Sequence, residues 1–255
     1  LVNNRRQYSG LLAGISGGIS FLGFAGNDNL TIDFSNGDPI PSGGLSWFGG
    51  SQSGTPGDRL SIIGTGSSIG SYRPSGSVPG SGVVIVDGRT INFSGLEPVA
   101  VAGFNEFTFV TPNSNDNLTV NSAAPGTNVV AGTSGGVVLE SLTFSNVVNF
   151  AIDAATNDKP LGSPNDSIRF LSDLVATGLV SFTTLVGLGN DLVDASAVTA
   201  IGLTLLGAEG DDTLTGGGGI DRIEGGSGND LITGRGGNDL LFGDTGSDRF
   251  VWNSN

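Results

Sequence analysis

The chain has 255 residues, 45 of them glycine, and carries 24 acidic against 10 basic side chains for a net charge of −14. Such a surface repels nucleic acid and anionic membranes, so neither is an expected partner. Cysteine and histidine are both absent, which excludes disulfides and removes the commonest general base and the commonest transition-metal ligand.

Valine, isoleucine, leucine and threonine are frequent, while the helix-favouring Lys, Arg, Glu and Gln are scarce, which favours β-structure. A mean hydropathy of +0.13 is too apolar for a disordered Gly-rich chain. No apolar run reaches the length of a transmembrane helix, so no membrane insertion is expected. At the amino end, Arg5-Arg6 precedes an apolar stretch from Leu11 to Ala25. Its interruptions at Gly14, Ser16, Gly17, Gly18, Ser20 and Gly23 favour a first β-coil over a signal peptide. Methionine is absent even at position 1, as expected of a processed chain or a segment of a longer one.

Residues 1–206 echo themselves without a fixed period. FLGFAGNDNLTI (21–32) and FVTPNSNDNLTV (109–120) share Asn-Asp-Asn-Leu-Thr behind a leading phenylalanine. Asp58-Arg-Leu, Asp166-Ser-Ile and Asp191-Leu-Val repeat the same Asp-x-apolar unit. Val83–Val86, Val99–Val101, Val129–Val130, Leu142–Phe144 and Val147–Phe150 read as buried strands bounded by Gly, Asn, Pro and Ser. Pro39–Gly44 and Tyr72–Gly82 read as loops bulging from the stack. No stretch combines helical periodicity with caps. The pattern fits irregular β-helical coils or a β-sandwich; the former is preferred because it merges into the regular repeats beyond residue 206.

From Gly207 to Val251 five nonapeptides run without a gap: GAEGDDTLT, GGGGIDRIE, GGSGNDLIT, GRGGNDLLF and GDTGSDRFV. Glycine holds the first place and again the fourth (Gly210, Gly219, Gly228, Gly237, Gly246). Aspartate holds the sixth (Asp212, Asp221, Asp230, Asp239, Asp248), preceded by asparagine at Asn229 and Asn238. A large apolar residue holds the eighth (Leu214, Ile223, Ile232, Leu241, Phe250). Glycine lets the backbone turn and bring carbonyls together, aspartate supplies charge, and Asp-x-apolar extends as a short strand. Ile220 in a fifth place, and Arg235 and Asp244 in second places, depart from the pattern.

This array resembles the RTX, or haemolysin-type, calcium-binding repeat family. The resemblance implies a calcium-binding parallel β-roll over 207–255; with the upstream strand pattern the expected chain is all-β, a right-handed parallel β-solenoid over 1–206 ending in that roll, with a cap near Phe250-Val251-Trp252. It implies that two nonapeptides make one coil. Asp212, Asp230 and Asp248 then line one edge, Asp221 and Asp239 the other. Ca2+ would lie between successive turns, held by these aspartates, by Gly210, Gly219, Gly228 and Gly237 and by Asn229 and Asn238. Asp28 and Asp191, each in a Gly-Asn-Asp turn, are weaker candidates. The upstream half is loosely similar to solenoid arrays of large bacterial surface and secreted proteins.

No catalytic constellation emerges. Glu97, Glu106 and Glu140 have no distinguishing spacing, and Lys159 stands in a polar loop. The outline is similar to alginate epimerases, whose catalytic motif includes a histidine that this chain lacks. The expected function is a calcium-ordered extracellular structural or adhesive solenoid on a bacterial surface, without enzyme activity, which associates with copies of itself or neighbouring segments. The alternative is an accessory segment of a secreted enzyme or toxin. Outward Leu231 and Leu240, with Phe242, are candidates for cover by a neighbour.

Overall fold

A computed structural model describes residues 15–51, 57–96, 98–112, 115–158 and 164–252. Arg5-Arg6, Glu97 and Lys159 lie outside the described residues. Within them the regular structure is all β. The strands are β1 (Ile19–Leu22), β2 (Asn29–Asp33), β3 (Leu45–Phe48), β4 (Arg59–Pro74), β5 (Gly82–Val86), β6 (Arg89–Ser94) and β7 (Val99–Val110). There follow β8 (Asp116–Ala124), β9 (Thr127–Ser134), β10 (Val137–Val138), β11 (Leu142–Asp153), β12 (Ser167–Phe170), β13 (Ser181–Leu188) and β14 (Leu192–Asp194). The last six are β15 (Leu203–Glu209), β16 (Thr213–Thr215), β17 (Arg222–Ser227), β18 (Leu231–Thr233), β19 (Leu240–Thr245) and β20 (Arg249–Val251).

From β12 onward every strand pairs in parallel with the next but one. β12, β14, β16, β18 and β20 form one column, and β13, β15, β17 and β19 the other. Register follows the repeat: Leu214 faces Ile232, and Ile232 faces Phe250. Two nonapeptides therefore make one coil, as in a β-roll. β15 runs across position 207 and pairs with β13 on one side and β17 on the other.

Upstream, β2–β4–β7–β11–β13 and β1–β3–β6 are also parallel. A purely parallel solenoid is not what is found there. β5 is antiparallel to β4 and β6, and β9 is antiparallel to β8, β10 and β11. The cause is local. Asp87-Gly88, both at positive φ, closes a two-residue hairpin, and Pro125-Gly126 closes another. The Tyr72–Gly82 segment folds back onto β4 through the pair Pro74–Gly82.

Alternation along the strands sends every second side chain inward. In the upstream coils these are large. Phe144 stacks on Phe150 with ring centroids 3.9 Å apart, Phe182 follows at 5.2 Å from Phe150, and Phe170 meets Phe182 edge-on at 5.1 Å. The array has only Leu214, Ile223 and Ile232 fully buried. Phe250, expected in the core, is 50% exposed, and Trp252 is 87% exposed. Among the described residues no coil stacks beyond β19 and β20.

Candidate metal centre

Each array turn is set by two backbone positions. The second place has positive φ at Ala208 (87°), Gly226 (107°), Arg235 (69°) and Asp244 (63°), and the fourth at Gly210, Gly228, Gly237 and Gly246. Arg235 and Asp244 thus adopt a conformation that side chains disfavour, and the turn survives their departure from glycine. The second nonapeptide is different: Gly217 and Gly219 are not at positive φ, and Ile220 is exposed.

The turns stack the aspartates. The Asp212 N–H donates to Asp230 Oδ1 at 2.9 Å, and the Asp230 N–H to Asp248 Oδ1 at 3.1 Å. On the other edge the Asp221 N–H donates to Asp239 Oδ1 at 3.0 Å. One carboxylate oxygen per residue is used in this way. The second oxygen, Oδ2, of Asp212 and Asp230 is buried with no hydrogen-bond partner. Both aspartates are essentially buried. An orphaned buried carboxylate oxygen is costly unless something positive compensates it.

The first-place glycines complete the site, although they are not in the ligand set that the family resemblance implies. A Cβ on Gly207 would collide with both Asp212 Oδ2 and the carbonyl oxygen of Gly225, one coil on. At Gly216 it would collide with Asp221 Oδ2 and lie 2.8 Å from the Gly234 carbonyl. Only glycine lets a carboxylate and a carbonyl from successive coils share this space. The signal was available as the glycine five residues before every aspartate. The fourth-place carbonyls of Gly210, Gly219 and Gly228 likewise occupy the space that a Cβ on the fourth-place glycine of the following coil would need.

This donor set is all oxygen, carboxylate plus carbonyl, from neighbouring turns. It fits a hard cation that takes six to eight oxygens, such as calcium. No group of three His, Cys, Asp or Glu side chains converges among the described residues, so the pattern is unlike a zinc-type cluster. Burial pushes the Asp212 carboxyl up to about 7; the Asp191 N–H opposes this, and the charges of Asp191, Asp230 and Asp211 add to it. Asp221 and Asp230 are raised too, first by burial. A divalent cation would reverse that preference by stabilising the ionised form.

The predicted ligands are not equivalent. Asp221 Oδ2 accepts the Gly217 N–H at 2.7 Å and is already satisfied, which follows from the altered turn beside Ile220. Asn229 forms a rung of its own: Asp211 Oδ1 accepts its N–H, and its Oδ1 accepts the Ser247 N–H at 3.0 Å. Gly237, Asn238 and Asp239 line an open cavity with Leu240 and Trp252 at the last coil. Leu240 is exposed, while Phe242 lies under the guanidinium of Arg222 at 4.7 Å. Glu106 is exposed on β7 and Glu140 is buried between β10 and β11.

The ladder extends beyond the regular repeats. The Asp116 N–H donates to Asp166, Asp166 to Asp191 and Asp191 to Asp212, at 2.7, 2.7 and 2.8 Å. Asp191 therefore belongs to the stack, but its coil lacks the first-place glycine. Val186, fully buried, stands opposite Gly207, between the pairs Leu185–Leu206 and Gly187–Ala208. Valine thus stands where the array has its first-place glycine, although Asp191 Oδ2 is buried and unpartnered like that of Asp212. Asp28 lies in a different column, its N–H donating to Asp58 Oδ1 at 2.6 Å.

Asp230 accepts the Asp212 N–H through Oδ1 and keeps Oδ2 buried and unpartnered, while its own N–H donates to Asp248. Asp230→Ala is expected to lower the number of calcium ions bound per chain. Asp191→Ala is expected to lower thermal stability and leave that number unchanged. Calorimetric titration of both variants checks this, and equal ion losses would refute it.

Residues 204–219 and 215–250 match the family model of the RTX calcium-binding nonapeptide repeat, in 4 copies. No characterised protein and no solved structure matches the chain significantly. RTX nonapeptide repeats bind Ca2+, and the matched residues contain the stacked carboxylates and glycine cradles.

Proposed function

We propose that this chain, whose residues 204–250 form an RTX calcium-binding array, is a calcium-ordered structural or adhesive segment of an extracellular bacterial assembly. We read it as a right-handed β-solenoid, parallel apart from the folded-back strands β5 and β9, that passes at residue 207 into a β-roll, with no catalytic step of its own. The observation that carries this reading is the pair of buried, unpartnered Oδ2 atoms on Asp212 and Asp230, the first of them beside the Gly225 carbonyl of the next coil. Carboxylates in this position must be neutralised for the coil to close.

Asp212 and Asp230 would hold the ion with the carbonyl of Gly225, while Asp221 contributes less because Gly217 already occupies it. Calcium supplies positive charge and oxygen coordination between turns. The chain's residues supply spacing and dryness. Millimolar calcium outside a cell saturates weak sites that submicromolar cytosolic calcium leaves empty. A chain built this way stays soft before export and stiffens afterwards. Because each coil touches only its neighbours, order set in the array passes along the columns into β13, β14 and coils further upstream. Self-association would use the exposed apolar side chains of Leu240, Phe250 and Trp252.

Small-angle scattering and electron microscopy of the chain, with calcium and then with chelator, test this. Elongated, stiffer particles or end-to-end assemblies in calcium are expected. Unchanged compact monomers in both conditions, together with turnover of a polysaccharide or ester, would favour the accessory segment of a secreted enzyme.

A further inference from the structure

Far from the array, Gly23-Phe24-Ala25-Gly26-Asn27-Asp28-Asn29-Leu30-Thr31 has the same grammar: glycine first and fourth, aspartate sixth, leucine eighth. It lies outside the residues matched by the repeat family. Its backbone nevertheless makes the array's turn. Phe24 has φ 71° and Gly26 126°, beside 87° and 127° for Ala208 and Gly210. Positive φ is costly for a bulky side chain, and the Phe24 ring is 72% exposed, so packing of that ring does not compensate it.

The next coil stacks on this turn in register, with Asn29 facing Arg59 and Leu30 facing Leu60. Asp28 consequently lies against Asp58, as Asp212 lies against Asp230. First-place glycines again leave room. A Cβ on Gly23 would collide with the Gly49 carbonyl and lie 3.0 Å from Asp28 Oδ2. One on Gly49 would lie 2.5 Å from Asp58 Oδ2. Asp58 is fully buried, and the Oδ2 atoms of both Asp28 and Asp58 have no hydrogen-bond partner. Neither aspartate is in an ion pair among the described residues.

We propose that Asp28 and Asp58, with the carbonyl of Gly49 and the clearance left by Gly23 and Gly49, form a separate site for calcium or a similar hard divalent cation in the amino-terminal coils. Two buried oxygens of one charge, unpartnered and flanked by a carbonyl, need a cation more than they need another hydrogen bond. The ion would secure the coils in which Leu22, Phe24 and Phe48 are exposed. The site uses the same calcium chemistry as the array but none of its residues.

The test uses the full chain titrated with calcium by calorimetry, with hydrogen exchange read on β1–β3. Asp58→Asn keeps the acceptor for the Asp28 N–H and removes the charge. It is expected to bind about one calcium ion fewer and to lose the calcium-dependent slowing of exchange in β1–β3. Asp230→Asn, in parallel, is expected to lose ions and protection in the array alone. An Asp58→Asn chain with the wild-type ion count and wild-type slowing would overturn the proposal while leaving the array reading intact. Should Asp58→Asn fail to give the wild-type β-signal by circular dichroism, Asp28→Asn provides the same readings, with the same two outcomes deciding.

Discussion

Chelating calcium at neutral pH is expected to unfold residues 203–252 while β4 to β11 remain folded. Ordering a residue costs about 1–2 kcal/mol. Burying one Leu or Ile contributes about 1.5–3 kcal/mol, and each nonapeptide buries at most one. The array's apolar rungs are Leu214, Ile223 and Ile232, with Leu241 partly buried and Phe250 half-exposed. They cannot offset the ordering of nine residues apiece. The missing free energy must come from the ion, which meets an assembled site only in the folded turns. Upstream the balance is different, because Phe104, Phe107, Phe144, Phe150 and Phe182 fill the core with contacting rings. Hydrogen exchange of the full chain separates the two. Amides of Asp212, Thr213, Asp230 and Leu231 should exchange at least about a hundredfold faster in chelator, with those of β7 and β11 unchanged. Equal protection of the array in calcium and chelator would remove the metal from its folding.

How much of this was legible varies with regularity. In the array the period of nine carries the turn and the strand together, while coil length and the aspartate edges were implied by the family resemblance and not by the residues alone. Upstream the Asp-x-apolar echoes did mark real rungs: Asp28, Asp58, Asp116, Asp166 and Asp191 all stand in stacks. Their partners could not be read, because successive rungs are 30, 50, 25 and 21 residues apart. The folded-back strand β9 lies within the longest of these gaps. The hairpin signals Asp87-Gly88 and Pro125-Gly126 were present but lay among many Gly-rich breaks. Individual donors were the least legible. Whether a carboxylate oxygen stays orphaned depends on its local neighbours: Oδ2 of Asp212 and of Asp191 are both left without a partner, while the Gly217 N–H occupies that of Asp221. The complete nonapeptide at Gly23–Thr31 was legible throughout, since only its first glycine had to be counted with Asp28.

Raising the pH is expected to destabilise the upstream coils through the same ladder. Asp166 is pushed up to about 8, first by burial; the Asp116 N–H opposes this and the charges of Asp116, Asp191 and Asp158 add to it. Burial likewise holds Asp191 at about 7 and Asp116 at about 6. An unfolded aspartate titrates near about 3.9. A carboxyl whose folded value is raised favours the folded state while it stays protonated. That contribution is complete below the unfolded value and is lost as pH rises through the folded one, between about pH 4 and 8. Asp166→Asn keeps an oxygen to accept the Asp116 N–H and cannot ionise. In excess calcium, which keeps the array assembled, thermal unfolding followed by fluorescence of the buried Trp47 compares the two chains at pH 5 and pH 8. Between those values the wild-type midpoint should fall about 5 °C further than that of Asp166→Asn. Equal falls, or a wild-type midpoint that rises, would mean that Asp166 is ionised in the folded chain, with a cation at its orphaned oxygen in place of the proton.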